Sequence, residues 1–130
     1  MFGFKKKAEE QKTPDLNTIV NALRKNEIAV TTRKAKNDGD VHRSKFGGKP
    51  AVPSEFAWPR FEADNFDGEI ANRPLSFLCQ INLEEIQSYD REKLLPKQGM
   101  LLFFYELETM CWGYDPAENG CARVYIILKM

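Results

Sequence analysis

A chain of 130 residues, 42% hydrophobic and 29% charged, has the make-up of one soluble globular domain and is long enough to bury a core without disulfides or metal. Its 19 Lys/Arg and 19 Asp/Glu cancel, yet residues 1–60 hold 13 basic against 7 acidic side chains and residues 61–130 hold 6 against 12. That division into a basic and an acidic half can steer a charged partner, or it can neutralise itself within the fold, which is the reading preferred from sequence.

The opening M-F-G-F-K-K-K has no apolar stretch after its lysines, so it does not read as a secretory signal, and Phe2 excludes N-myristoylation. No run approaches the length of a membrane span, and three cysteines (Cys79, Cys111, Cys121) form no paired framework. A cytoplasmic protein with no membrane partner is expected. Residues 1–13 read as a flexible lead, and Lys5-Lys6-Lys7 as a solvated tail rather than a nucleic-acid contact. Residues 14–130 form the domain.

From Pro14 the pattern becomes helical. Leu16, Ile19, Val20 and Leu23 share one face, with Thr13 as the expected N-cap, Pro14 at the first helical position and an end near Lys25. Ile28–Thr32 is β-branched and alternating, which predicts a short strand. Asn37-Asp38-Gly39 is the tip of a turn-prone stretch. Between Phe46 and Pro74 the prolines argue against helix and against continuous strand pairing. An ordered, irregular path anchored by Phe46, Phe56, Trp58, Phe61 and Phe66 is expected, with residues 62–73 a loop turning at Asp67-Gly68.

Leu75–Ile81 is the clearest strand: Leu75, Phe77, Cys79 and Ile81 make an apolar face, and Gln80 falls on the mixed one. Asn82 is placed to cap a short helix, with Glu85 completing a capping box and Leu83 and Ile86 inward. After a turn at Leu94–Gly99, Met100–Leu107 is apolar on both faces and so central. Cys111–Tyr114 predicts a brief strand, and Arg123–Lys129 a further one. The chain stops straight after that apolar strand, which leads us to expect an incomplete half-domain or an uncovered sheet edge available for self-association.

Catalytic and metal chemistry is not signalled. In F-G-G-K-P, Pro50 follows Lys49 where a phosphate loop requires Ser or Thr opening a helix, so Gly47-Gly48 reads as a tight bend. His42 is the only imidazole and the cysteines lack metal-ligand spacing, so no catalytic set, metal site or cofactor is expected. The aromatics carry the binding signal. Trp58, Trp112 and Tyr114 lie beside proline or glycine outside the main strands, where they either close the core, the preferred reading, or form a recognition surface. Gln80 and Asn82 either satisfy loop backbone groups, the preferred reading, or line a small polar pocket.

The stretches S-K-F-G-G-K-P-A-V-P (44–53), F-A-W-P (56–59), P-L-S-F-L-C-Q-I-N-L-E-E-I (74–86), L-L-P-K-Q-G-M-L-L-F-F-Y (94–105) and W-G-Y-D-P (112–116) closely resemble the YwqG-like family of bacterial proteins, a domain of unknown function. The resemblance implies a mainly β, roll-like fold with a few peripheral helices, and no established activity. It also implies a length about twice this one, so that the chain corresponds to an N-terminal half, and an immunity or toxin-neutralising setting. Lys45, Gly47, Gly48, Trp58, Gln80, Asn82 and Trp112 match the family only as pattern positions.

The expectation is therefore a mainly β (α+β) fold: a largely antiparallel sheet with an N-terminal helix and one or two short peripheral helices. The candidate binding surface comprises Lys45, Gly47, Gly48, Trp58, Gln80, Asn82, Trp112 and Tyr114. The expected function is a non-enzymatic module that binds a protein partner. Its rival is a small-ligand binder or enzyme whose pocket a C-terminal half completes.

Overall fold

A computed structural model of the chain describes residues 12–36, 39–64 and 68–128. The expected turn tip at Asn37-Asp38, the anchor Phe66, Asp67, Lys5–Lys7 and the last two residues lie outside them. The fold is mainly β: a four-stranded antiparallel sheet, a separate two-stranded hairpin, an N-terminal helix and short helical turns.

The large sheet contains β1 (Lys45–Phe46), β4 (Ser76–Asn82), β5 (Met100–Tyr105) and β6 (Ala122–Ile127), in the order β1-β4-β5-β6. The apolar run Met100–Tyr105 is internal, as its lack of a polar face requires. Its core side presents Met100, Leu102 and Phe104, all at 2% exposure or less. Over that side lies the proline-laden segment 51–59. Phe56 stacks on Phe104 at 6.0 Å, Trp58 meets the same ring edge-on at 5.2 Å, and Tyr125 does so at 5.7 Å. Trp58 also donates its indole Nε1–H to the Leu75 carbonyl at 2.8 Å. This tryptophan therefore closes the core through both its ring and its polar edge.

The structure departs from simple alternation in β4. Phe77 pairs with Phe104 but Cys79 pairs with Phe103, so Leu78 is an extra residue, a β-bulge. Beyond the bulge the faces exchange. Gln80 opposite Leu102 turns into the core at 1% exposure, and Cys79 and Ile81 pass to the outer side with Phe103 and Leu101. The expected apolar face Phe77/Cys79/Ile81 is thus divided between the two sides of the sheet.

Gln80 tolerates burial because its amide is fully used. Its Oε1 accepts from Ala51 N–H (2.8 Å), and its Nε2 donates to the carbonyls of Val41 (2.7 Å) and Arg43 (2.8 Å). One side chain therefore pins both ends of segment 41–51 to the sheet. Between those ends Gly47 and Gly48 adopt φ of 69° and 73°, and Gly47 N–H donates to the Leu78 carbonyl at 2.8 Å. This is the tight bend expected of them, in a region that favours glycine.

Four sequence expectations need correction. The expected loop over residues 62–73 instead contains paired strand: β2 (Arg60–Asp64) and β3 (Ile70–Pro74) pair in register from Arg60↔Pro74 to Asp64↔Ile70. The prolines flank the ladder or end it, where a missing N–H costs nothing. Ile28–Thr32 forms no strand; β1 already occupies the edge of β4, and the segment is exposed apart from a half-buried Ile28. Cys111–Tyr114 is likewise irregular. Phe46 anchors nothing, since β1 turns it outward at 65% exposure.

Helix α1 (Leu16–Leu23) begins one turn chemistry later than expected. Asp15, not Thr13, is the N-cap, because its carboxylate accepts the Thr18 amide at 2.8 Å. The helix ends with Arg24 as C-cap, and its apolar stripe does not enter the core: Leu16 is 75% exposed and Leu23 72%. Helix α2 (Leu83–Ile86) buries Leu83 and is capped by Asn82, whose Oδ1 accepts from Glu84 N–H at 3.0 Å. Glu85 does not close a capping box; it accepts from the Ser44 amide instead, at 3.3 Å.

Candidate functional site

A cleft of about 540 Å³ opens between the β2–β3 hairpin and the loop that joins β5 to β6. Phe61, Ile70, Met110 and Trp112 give it apolar walls, and Glu62, Asp64 and Glu118 supply carboxylates. Among the described residues no lysine or arginine lines it. That composition belongs to the acidic half of the chain, and the fold concentrates it in one place.

The loop wall is held by buried polar chemistry. Glu106 continues the line of β5, with its N–H donating to the Cys121 carbonyl at 2.8 Å and its carboxylate buried at 1% exposure. Burial pushes this carboxyl upward. The Thr109 hydroxyl and amide, the Glu108 amide and the Arg73 guanidinium outweigh that push and hold it below the ordinary carboxylate value. The carboxylate thereby organises the turn that carries Met110 and Trp112 to the cleft. Tyr105 tightens the same turn by donating its hydroxyl to the Cys111 carbonyl at 2.6 Å. Met110 sits at φ 47°, a conformation that non-glycine residues seldom take and that the surrounding bonds enforce.

The hairpin wall is fixed by arginines. Arg73 reaches the Ala63 carbonyl at 3.1 Å and pairs with Glu108 at 2.7 Å, joining hairpin to loop. Arg60 bonds the side chain and backbone of Asn72, and Arg123 bonds the Arg60 carbonyl at 3.1 Å. At the far end of the loop a short 3₁₀ turn (Pro116–Glu118), capped by Asp115, brings Glu118 back so that its carboxylate accepts the Gly113 amide at 2.7 Å.

The thiols in this region are poorly suited to nucleophilic work. Burial, then contact with the Cys121 thiol and the Glu118 carboxylate, push the Cys111 thiol up to about 12, and burial also raises Cys79. Among the described residues no three His, Cys, Asp or Glu side chains gather in a way that could hold a metal ion, and no helix is long and apolar enough to cross a membrane.

The structure divides the sequence-derived candidates into two places. Lys45, Gly47, Gly48, Gln80 and Asn82 gather at the β1–β4 ladder. There Gln80 holds loop backbone, and Asn82 donates its Nδ2–H to the His42 carbonyl at 3.0 Å while capping α2. A shallow depression of about 210 Å³ at that end includes His42, Asn82, Glu84 and Gln98. Trp58 belongs to the core roof. Trp112 reaches the cleft and is 85% exposed; Tyr114, two residues on, is 87% exposed. Neither closes the core, contrary to the preferred reading of these two. The hairpin residues Phe61, Glu62, Asp64 and Ile70 were absent from the candidates. Their one signal was the alternation of R-F-E-A-D, masked by the prolines on either side.

Comparison with known proteins places residues 44–128 under a family model described as Domain of unknown function (DUF1963). That span begins just before β1 and ends just after β6, so it contains both sheets and the cleft and omits α1. No curated protein matches the chain, and no solved structure matches it.

Proposed function

The chain belongs to the DUF1963 family, whose description assigns no activity, and on the chemistry of its cleft we propose a non-enzymatic module that binds a cationic, apolar-anchored segment of a protein partner. The observation that carries this reading is the cleft itself: exposed Trp112 and Met110 beside Glu62, Asp64 and Glu118, with no basic side chain among the described lining residues. An exposed tryptophan on a braced loop loses little conformational entropy on binding and can stack on an aliphatic, aromatic or guanidinium group. The carboxylates then select lysine or arginine and speed encounter at low salt. Protonated thiols at Cys79 and Cys111 support a binding role over covalent catalysis.

The motif string from Ser44 to Pro116 supports a finer placement among YwqG-like proteins of bacteria, with a cytoplasmic location. A toxin-neutralising setting would supply a basic partner of the kind the cleft accepts.

Isothermal titration calorimetry with a panel of short peptides tests the reading. Peptides combining Lys or Arg with an aromatic should bind and lose affinity as salt rises. Trp112→Ala and the double variant Glu62→Lys/Asp64→Lys should each weaken binding at least tenfold. Acidic peptides that bind equally well, or basic peptides indifferent to both variants, would refute it.

A further inference from the structure

The loop that joins β5 to β6 is drawn together at its neck by Tyr105 and Glu106. The Tyr105 hydroxyl donates to the Cys111 carbonyl at 2.6 Å, and the Glu106 amide donates to the Cys121 carbonyl at 2.8 Å. Tyr105 also pairs with Ala122, the residue after Cys121, at the foot of β6. Two neighbours at the end of β5 thus hold the two cysteines together, although residues 112–120 separate them in sequence.

Their side chains meet as well. The Cys111 thiol is in hydrogen-bond contact with the Cys121 thiol, and both thiols act on the Tyr105 phenol. Cys79 stands apart on β4 opposite Phe103, and burial alone acts on it. Two thiols in contact can become a disulfide once the sulfurs close to roughly 2 Å. The irregular stretch at Cys111 supplies that movement while β6 stays in its ladder.

We propose that Cys111 and Cys121 form a reversible disulfide, with a low-molecular-weight disulfide as oxidant, which locks the loop bearing Trp112 and Tyr114 to the foot of β6. Half-buried Cys111 is the point of entry, since Cys121 is only 3% exposed. The Cys111 thiol gives up its proton and attacks the oxidant, expelling one small thiolate and leaving a mixed disulfide. The Cys121 thiol, deprotonated in turn, attacks Cys111 Sγ and expels the second small thiolate. Two electrons pass from the protein to the oxidant, and the two protons released end on the two small thiols. The Cys111 thiol is protonated at neutral pH, so exchange is slow and the pair follows the prevailing redox balance rather than single encounters. None of this depends on what the acidic cleft binds.

Incubation of the full chain with reduced or oxidised glutathione, followed by alkylation and mass mapping, tests the proposal. In the reduced buffer all three cysteines should be alkylated. In the oxidised buffer the native protein should lose about 2 Da, the two hydrogens of the thiol pair, with Cys79 outside the bond. Denaturation and cleavage after Glu118 should then leave two fragments joined until dithiothreitol separates them. Hydrogen exchange of amides 112–120 should slow about threefold or more on oxidation, while β4 and β5 are unchanged. Cys111→Ser should form no such bond and show the same loop exchange in both buffers; the wild-type mapping stands whether or not that variant folds. Three alkylated cysteines after oxidation, a glutathione adduct left unresolved at Cys111, or a bond through Cys79 would overturn the proposal. So would a bond between two chains, one that forms only in urea, or a linked protein whose loop exchanges as fast as before.

Discussion

Replacing Gln80 by leucine is the sharpest internal test of this architecture. The glutamine is 1% exposed and makes three hydrogen bonds of 2.7–2.8 Å, to Ala51 N–H and to the carbonyls of Val41 and Arg43. Leucine is of similar size and more apolar, so a simple burial argument predicts stabilisation. The bonding argument predicts the opposite. Three bonds at about 1 kcal/mol each are lost, and the buried Ala51 amide is left without a partner at a further cost of about 1–3 kcal/mol. The carbonyls of exposed Val41 and Arg43 regain water, and the added apolar area returns about 1 kcal/mol. The net expectation is a loss of about 3 kcal/mol. Urea unfolding should show a lower midpoint with an unchanged slope, because the surface exposed on unfolding is the same. Limited proteolysis should find new cleavage between residues 41 and 51, the segment that the amide pins. A variant within about 0.5 kcal/mol of the wild type, with that segment equally protected, would refute the role assigned to Gln80.

Two further outcomes follow from single groups. Glu106 has a carboxyl held below its ordinary value, so its contribution to stability is present above the unfolded value near 4.5 and is lost as pH falls through the lower, folded one. Glu106→Gln should cost about 2 kcal/mol at neutral pH by weakening bonds to a charged acceptor, and urea midpoints should fall less on acidification than in the wild type; identical acid profiles would contradict this. Gly99→Ala should destabilise by about 2–3 kcal/mol, as read by thermal unfolding, because φ is 122° and a Cβ would stand 2.9 Å from the Ile127 carbonyl oxygen. A melting temperature unchanged by that substitution would mean the approach of Gly99 to β6 is wrong.

What the sequence made legible was whatever local periodicity decides. The three apolar runs around Phe77, Phe104 and Tyr125 announce a shared sheet, the two-sided run is central, and the segment rich in Pro, Phe and Trp roofs it. What it hid was set by distant partners. Nothing within P-L-S-F-L-C-Q-I-N marks Leu78 as a bulge; the displacement lets Gln80 reach residues 41, 43 and 51 and lets the Leu78 carbonyl accept from Gly47. Ile28–Thr32 has strand propensity but pairs with no described strand, and the edge of β4 is taken by β1 instead. Pro59 and Pro74 suggested an irregular path, yet they bracket a regular hairpin. Of the cleft, Trp112 was legible as an aromatic beside glycine. Its opposing wall was not, because a stretch read as loop presents no face.

The claim on which the two faces of the large sheet depend is the register change in β4, which sends Gln80 inward and leaves Cys79 and Ile81 on the outer side. Cross-strand backbone NOEs between β4 and β5 measure it directly. The account predicts contacts of Cys79 with Phe103 and Gln80 with Leu102. An uninterrupted ladder, with Leu78 opposite Phe103 and Cys79 opposite Leu102, would contradict it.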